Sequence, residues 1–246
     1  MDRMIYTALS GMDAAMNRQR AVASNLANAS TPGFRAETFA TTPSHMRGDT
    51  FDVRGFAQGA VRGADLSPGV LTQTGRSLDI AVHGEALIAF QNAAGEEVYS
   101  RRGDLSVDPA GLLTNGEGLQ VLGANGPITV PPGWEVSFGT DGTVLAADPA
   151  APDVPPQELG RIRLTSPEGS QVHKDLDNQL RVVGGGVLPE DPTAEITVGA
   201  LEASNVDSAG TLVEMIEAQR SFERRMQMIA TAEQLDQASS RLMSIR

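Results

Sequence analysis

Proline and glycine divide this chain before any other feature is considered. All 14 prolines lie between Pro32 and Pro192, and 24 of the 26 glycines lie between Gly33 and Gly199. Both residue types work against helix interiors, proline by removing a donor and clashing with the preceding turn, glycine through backbone entropy. The chain therefore has two helix-permissive ends and a turn-rich middle. Charge follows the same division: residues 1–31 sum to +1, residues 199–246 to −2, and the middle holds the remaining −11 of a net −12.

At the N-terminal end Ile5, Leu9, Met12, Met16, Gln19, Ala23 and Leu26 recur at alternating steps of four and three. That is the apolar stripe of a helix packed on another helix, with one glutamine in the seam. The C-terminal end repeats the pattern with Leu212, Met215, Gln219, Phe222, Met226 and Ile229. Beyond Ile229, two steps of three fall together and the stripe shifts around the helix. Helices of these lengths would reach roughly 40 and 55 Å. They can pair, but much of their remaining surface has no small domain to cover it, which points to packing between chains.

The stretch SNLANASTPGF (residues 24–34) ends the first helix. Asn25, Asn28 and Ser30 compete for the helix backbone, Pro32 disfavours a helical Thr31, and Pro32-Gly33 suits a type II turn with Gly33 at positive φ. Near the other end, Ser204, Asn205, Asp207 and Ser208 offer capping oxygens, and Ser204 with Asp207 approximates a capping box. The second helix is expected to begin between Ser204 and Thr211.

The middle reads as β-structure. LDIAV (78–82) alternates Leu78, Ile80 and Val82, and ALIAF follows; EVYSR, DLSVD, GLLT, LQVL, PITV, EVSF, TVLAA, RIRL and QLRVV continue at short intervals. Gly139-Thr140-Asp141-Gly142 marks a hairpin and Asp108-Pro109-Ala110-Gly111 a turn. AADPAAPDVPPQE (146–158) reads as an exposed loop, and residues 35–77 as an extended connector with little core of its own.

Chemistry is hard to find in this sequence. There are no cysteines, so thiol catalysis, disulfides and cysteine-ligated metals are excluded. His45, His83 and His173 have no metal-ligand spacing, and Gly184-Gly185-Gly186 reads as a turn, not a phosphate cradle. Neither catalytic nor metal nor cofactor-binding residues are assigned, and no cofactor is expected. The Arg47-Gly48-Asp49 and Arg102-Gly103-Asp104 triplets are explained by composition and hairpin geometry. A net charge of −12 argues against nucleic acid and anionic membranes as partners. No run approaches the length of a membrane helix, and MDRMIYTALSGMDAAMNRQR scatters polar residues through what a secretory signal would keep apolar.

Four blocks carry a family resemblance. ALSGMDAAMNRQRAVASNLANASTPGF (8–34) resembles the amino-terminal signature of bacterial flagellar rod, hook and hook-associated axial proteins. SNVDSAGTLVEMIEAQRSFERRMQMIATAEQLDQASSRL (204–242) resembles their carboxyl terminus, and LSPGVLTQTGRSLDIAVHGEALIAF (66–90) and VYSRRGDLSVDPAGLLTNGEGLQVLG (98–123) resemble segments of the rod members. The start MDRMIYTALSG and the ending TAEQLDQASSRL are most similar to the proximal-rod branch, with the distal-rod branch or a hook-family axial protein as alternative. Departures occur at Gly84-Glu85-Ala86-Leu87-Ile88 and at Ser24-Asn25-Leu26-Ala27-Asn28.

The resemblance implies a non-enzymatic rod subunit in the periplasmic part of the flagellar basal body, exported without a cleaved signal by the flagellar type III apparatus. Its partners would be other copies of itself and neighbouring rod proteins, with no small-molecule substrate. The fold expected is α+β: the terminal helices paired as an antiparallel coiled-coil-like layer, an irregular β connector and a central mainly-β domain. The segments are 1–34, 35–77, 78–200 and 201–246. The assembly interface falls on Ile5, Leu9, Met12, Met16, Gln19, Leu26, Leu212, Met215, Gln219, Phe222, Met226 and Ile229. A reading from another class, a secreted β-domain adhesin or carbohydrate binder, wants aromatic platforms that Trp134, Tyr6 and Tyr99 are too few to build.

Overall fold

The computed structural model describes residues 2–47, 52–175 and 177–244. The fold is α+β: a helix α1 (Asp2–Ala27), a succession of strands, and a helix α2 (Ser208–Ser244). The chain divides into two compact units. One holds residues 1–27, 37–63 and 207–246, the other residues 28–36 and 64–206.

In the first unit α1 and α2 contact each other, and strands Glu37–Arg47 and Asp52–Ala64 pair as a two-stranded sheet. The sequence reads here as an irregular β connector; the structure has β-structure in it, as two long strands. In a two-stranded ladder only the facing backbone groups pair, so such strands need not carry a dense apolar pattern in the sequence. It also tolerates Pro43 within the first strand, since each strand leaves one edge unpaired. The segment is tied to α1 through Asn25, whose side chain accepts the Glu37 N–H at 2.7 Å and donates to the Glu37 carbonyl at 3.1 Å. Asp207 closes the start of α2: its carboxylate accepts the N–H groups of Ala209 at 3.1 Å and Gly210 at 3.2 Å.

The second unit is built on a nine-stranded sheet. Its main path runs Val172–Lys174, Leu180–Val182, Glu97–Ser100, Leu87–Gln91, Gln120–Gly123, Leu113–Asn115, Leu105–Val107, with Gly126–Pro127 and Leu164–Thr165 attached to its sides. The central strand Leu87–Gln91 is buried on both faces, which is why its sequence is an unbroken apolar run. Alternation sends Ile88 and Phe90 into the larger core, with Ile80, Val98, Leu105, Val121, Val144 and Ile162. It sends Leu87 and Ala89 into a smaller core with Tyr99, Leu122, Leu180 and Leu188. A three-stranded sheet, Glu135–Phe138, Thr143–Ala147 and Gln157–Arg161, adds Val136, Phe138 and Val144 to the larger core.

Several turns take the expected form. Gly142 has φ 87°, and the Gly139 and Thr143 backbones bond across the hairpin at 2.8 Å. Gly111 has φ 85° and donates to the Asp108 carbonyl at 2.9 Å. The stretch 146–158 departs from its reading as a loop at both ends: strand Thr143–Ala147 runs into it, and strand Gln157–Arg161 emerges from it. Four prolines and the acidic residues between them mask the strand start, which pairs antiparallel with Thr143–Ala147 across the intervening loop. Strand Ile80–Val82 is buried at all three positions, so LDIAV does not alternate between core and solvent; Ile196–Val198 pairs along it.

Candidate assembly surface and the buried clasp

The helices bury their small residues. On α1, Gly11, Ala14, Ala15, Ala21, Val22 and Asn25 are covered. On α2, Thr211 and Ala218 are covered and Met215, Phe222, Arg225 and Ile229 are half-buried. The Arg225 guanidinium lies against Gly11, where a β-carbon would collide with it. The covered side of α1 is turned by roughly a third of a revolution from the stripe of large apolar residues.

That stripe is left largely uncovered. Leu9 is 45% and Met16 56% exposed, and Met12, Gln19 and Leu26 are intermediate. Ile5 lies in the part of α1 whose side chains fall outside the described residues. On α2, Leu212 and Met226 are 50% and 47% exposed, Gln219 is exposed, and Val213, Ile216 and Met228 add further apolar surface. These large apolar side chains are therefore left to solvent within the single chain.

In the second unit, three residues remote in sequence form a buried ionic clasp. The Glu202 carboxylate accepts Arg35 Nη2 at 2.6 Å on Oε1 and Arg101 Nη1 at 2.9 Å on Oε2, and Oε1 also accepts the Gly69 N–H at 2.6 Å. All three side chains are at most 2% exposed. Arg101 is held further by the carbonyls of Ala86, at 2.9 Å from Nε, and of Gly84. Burial pulls the Arg101 guanidinium below its ordinary range; the Glu202 carboxylate opposes that shift. Lys174 donates to the Arg35 carbonyl at 2.7 Å and sits 3.2 Å above the centre of the Phe34 ring.

The clasp fixes the turn that ends the helical N-terminal region. Gly33 has φ 67°, Phe34 N–H reaches the Thr31 carbonyl at 3.3 Å, and Gly33 N–H donates to the Glu202 carbonyl at 2.7 Å. A β-carbon at Gly33 would run into the backbone of Arg101 and Arg102, so Pro32-Gly33 serves close approach as well as the turn. Of the residues read as caps, Ser204 accepts the Val206 N–H at 3.2 Å, whereas Asn205 binds away from the helix. Its side chain accepts the Ala36 N–H at 2.7 Å and donates to the carbonyls of Asp65 at 2.8 Å and Ser67 at 3.1 Å.

Arg35, Arg101, Glu202 and Lys174 were not singled out from the sequence. The partners of Glu202 stand 167 and 101 residues away, so no local spacing announces them. The second Arg-Gly-Asp triplet is closed on itself: Arg102 grips Asp104 at 2.7 and 2.9 Å and reaches Glu117 at 3.0 Å. The first falls partly outside the described residues. His83 pairs with Thr197 at 2.7 Å, and among the described residues no group of acidic or histidine side chains is placed to hold a metal.

A protein of Escherichia coli described as flagellar basal-body rod protein FlgF is 38% identical over the whole of both chains. The chain belongs to the flagellar basal-body rod protein family. A FlgF of Caulobacter vibrioides is 30% identical over 97% of each chain, and a flagellar basal-body rod protein FlgG of Bacillus subtilis is 28% identical over 96% of this chain and 97% of its own. Three family models match: flagella basal body rod protein over residues 5–35, flagellar hook protein FlgE/F/G D1 domain over 81–146, and flagellar basal body rod FlgEFG protein C-terminal over 197–242. Each of these segments supplies one member of the clasp: Arg35, Arg101 and Glu202 in turn.

Proposed function

We propose that this chain is a structural, non-enzymatic subunit of the flagellar basal-body rod, of the proximal FlgF type, polymerising through its terminal helices. The observation that carries this reading is the end-to-end match at 38% identity to a FlgF, both terminal regions included. The identity to a FlgG is lower, at 28%, which favours the proximal over the distal type. The uncovered apolar stripes of α1 and α2 give the polymer its contacts: Leu9, Met12, Met16, Leu212 and Met226 meet neighbouring copies or neighbouring rod proteins. In this reading α1 and α2 form an antiparallel coiled-coil-like layer. Gly11 and Arg225, which adjoin, lie at nearly equal distances from the end of α1 and the start of α2, as antiparallel pairing requires.

The remaining assignments follow from family membership. The subunit is exported unfolded by the flagellar type III apparatus, without a cleaved signal, and assembles in the periplasm; a cysteine-free chain suits that route. Segments 1–34 and 201–246 serve the helical layer, 35–77 links, and 78–200 forms the body of the outer domain. Among the described residues no helix is long and apolar enough to cross a membrane.

The test is complementation of a strain lacking its proximal rod subunit, followed by purification of basal bodies. The reading requires restored motility with the tagged chain located in the rod. Restoration only of a strain lacking the distal subunit would transfer the chain to that type, and recovery of the chain solely outside the basal body would refute a rod role.

A further inference from the structure

Sulfur is confined to one part of this chain. There are no cysteines, and the nine methionines lie at Met46 or before and at Met215 or after, all within the segments of the first unit. The second unit, which holds the larger share of the sequence, carries none. Among the five methionines whose side chains are described, Met16, Met226 and Met228 are 56%, 47% and 65% exposed, while Met12 and Met215 are half-buried. Two of the exposed ones stand in the apolar seams. Met16 lies one helical turn from Met12 and Gln19, and Met226 one turn from Phe222 and Ile229. A thioether at these places gives soft, adaptable apolar contact, and it is open to mild oxidation where leucine is not.

We infer that Met16, Met226 and Met228 form a redox-sensitive modification site that governs assembly, oxidised by a two-electron oxidant of the peroxide class while the chain is free. The inference rests on the rod reading above, because it regulates the surface through which that reading has the chain polymerise. The sulfur lone pair attacks one peroxide oxygen and the O–O bond breaks. That oxygen stays on sulfur as the sulfoxide, and the departing hydroxide takes the remaining proton and leaves as water. Sulfur is oxidised by two electrons and the peroxide is reduced by two. The product is a polar, chiral acceptor where a soft apolar side chain stood. An apolar helix face that covers it must bury the S=O dipole, which lowers association on the order of tenfold for each sulfoxide. The second unit is untouched by this chemistry, since it has no sulfur to offer. Enzymes that reduce methionine sulfoxide restore the thioether, so the modification is reversible.

The experiment begins with the free full-length chain in hydrogen peroxide, mapped by peptide mass spectrometry through the gain of about 16 Da per sulfoxide. Met16, Met226 and Met228 should be converted several-fold faster than Met12 and Met215; equal rates at all five would overturn the site. The tagged chain is then expressed in a strain lacking its proximal rod subunit, and the cells receive a sublethal peroxide pulse. Incorporation into basal bodies formed after the pulse should fall about tenfold. A chain combining Met16→Leu, Met226→Leu and Met228→Leu, measured against its own untreated level, should lose several-fold less. Peroxide reaches the other proteins of both strains alike, so the difference between the two chains is the readout. If the combined variant does not assemble, Met16→Leu and Met226→Leu alone decide, each losing less than the original chain. Equal proportional losses would overturn this inference and leave the rod reading intact. Absence of the chain from basal bodies without any peroxide would refute the rod reading, and this inference with it.

Discussion

At the scale of single residues, the chain concentrates its risk in Glu202. Two guanidiniums and a backbone N–H depend on its carboxylate. A buried ion pair adds little net stability over apolar packing, but breaking one leaves an uncompensated charge in a low-dielectric interior. Glu202→Ala should therefore lower unfolding stability by about 3–5 kcal/mol, measured by denaturant titration of the monomer; a loss below 1 kcal/mol would mean that water already reaches the clasp. Tyr99 makes a second, pH-dependent case. Its hydroxyl donates to Glu97 at 2.7 Å and accepts the Leu188 N–H at 2.7 Å, and burial pushes its pKa up to about 12 from 10.0. The unfolded phenol ionises near 10, so the contribution is whole below pH 10 and fades as pH rises through 12. Roughly 3 kcal/mol of stability should disappear across that window. Tyr99→Phe should be less stable at neutral pH by about 1–3 kcal/mol yet show a flatter loss between pH 10 and 12, read by denaturant midpoints along a pH series.

At the scale of elements, what could be read from sequence was what proline, glycine and periodicity encode locally. The termini were legible as helices because they lack breakers, the Asp141-Gly142 hairpin because its turn chemistry is local, and the start of α2 because Asp207 caps it within three residues. The side on which each helix packs was not legible. Periodicity locates an apolar stripe, but it cannot say whether the stripe is covered by the same chain or another, and here the covered side of α1 is the small-residue side. This separation yields a prediction. Exposed Leu212 and Met226 should each tolerate replacement by Ser with less than about 0.5 kcal/mol change in monomer stability. The same substitutions should impair incorporation into basal bodies and motility in swarm assays. Destabilisation of the monomer by more than 2 kcal/mol would show that these residues already pack within the chain.

At the scale of the whole molecule, the clasp changes where an independently folding piece should be cut. A boundary at 78–200 follows strand density, but it leaves out Glu202 and splits strands Leu71–Gln73 and Ala200–Glu202, which pair with each other. Cutting there leaves Arg101 buried opposite no carboxylate, while its Ala86 and Gly84 carbonyls remain. Carbonyl dipoles alone do not offset the desolvation of a guanidinium, so the shorter piece keeps its apolar cores but carries a buried charge. A fragment of residues 64–206 retains Glu202, Gly69 and the Leu71–Gln73 pairing, lacking only the Arg35 half of the clasp. Both fragments should give mainly β circular dichroism, since Ile88, Phe90, Val98 and Val121 pack in each. The longer should unfold cooperatively and at a temperature higher by about 5–10 °C, the shift that a deficit of roughly 2 kcal/mol produces in a domain of this size. Arg101→Met in the shorter fragment should recover part of that difference by removing the stranded charge, and in the longer fragment it should be destabilising because it strands Glu202 instead. Equal melting temperatures for the two fragments, with no opposite response to Arg101→Met, would show that the clasp is solvated and that the boundary follows the strands alone.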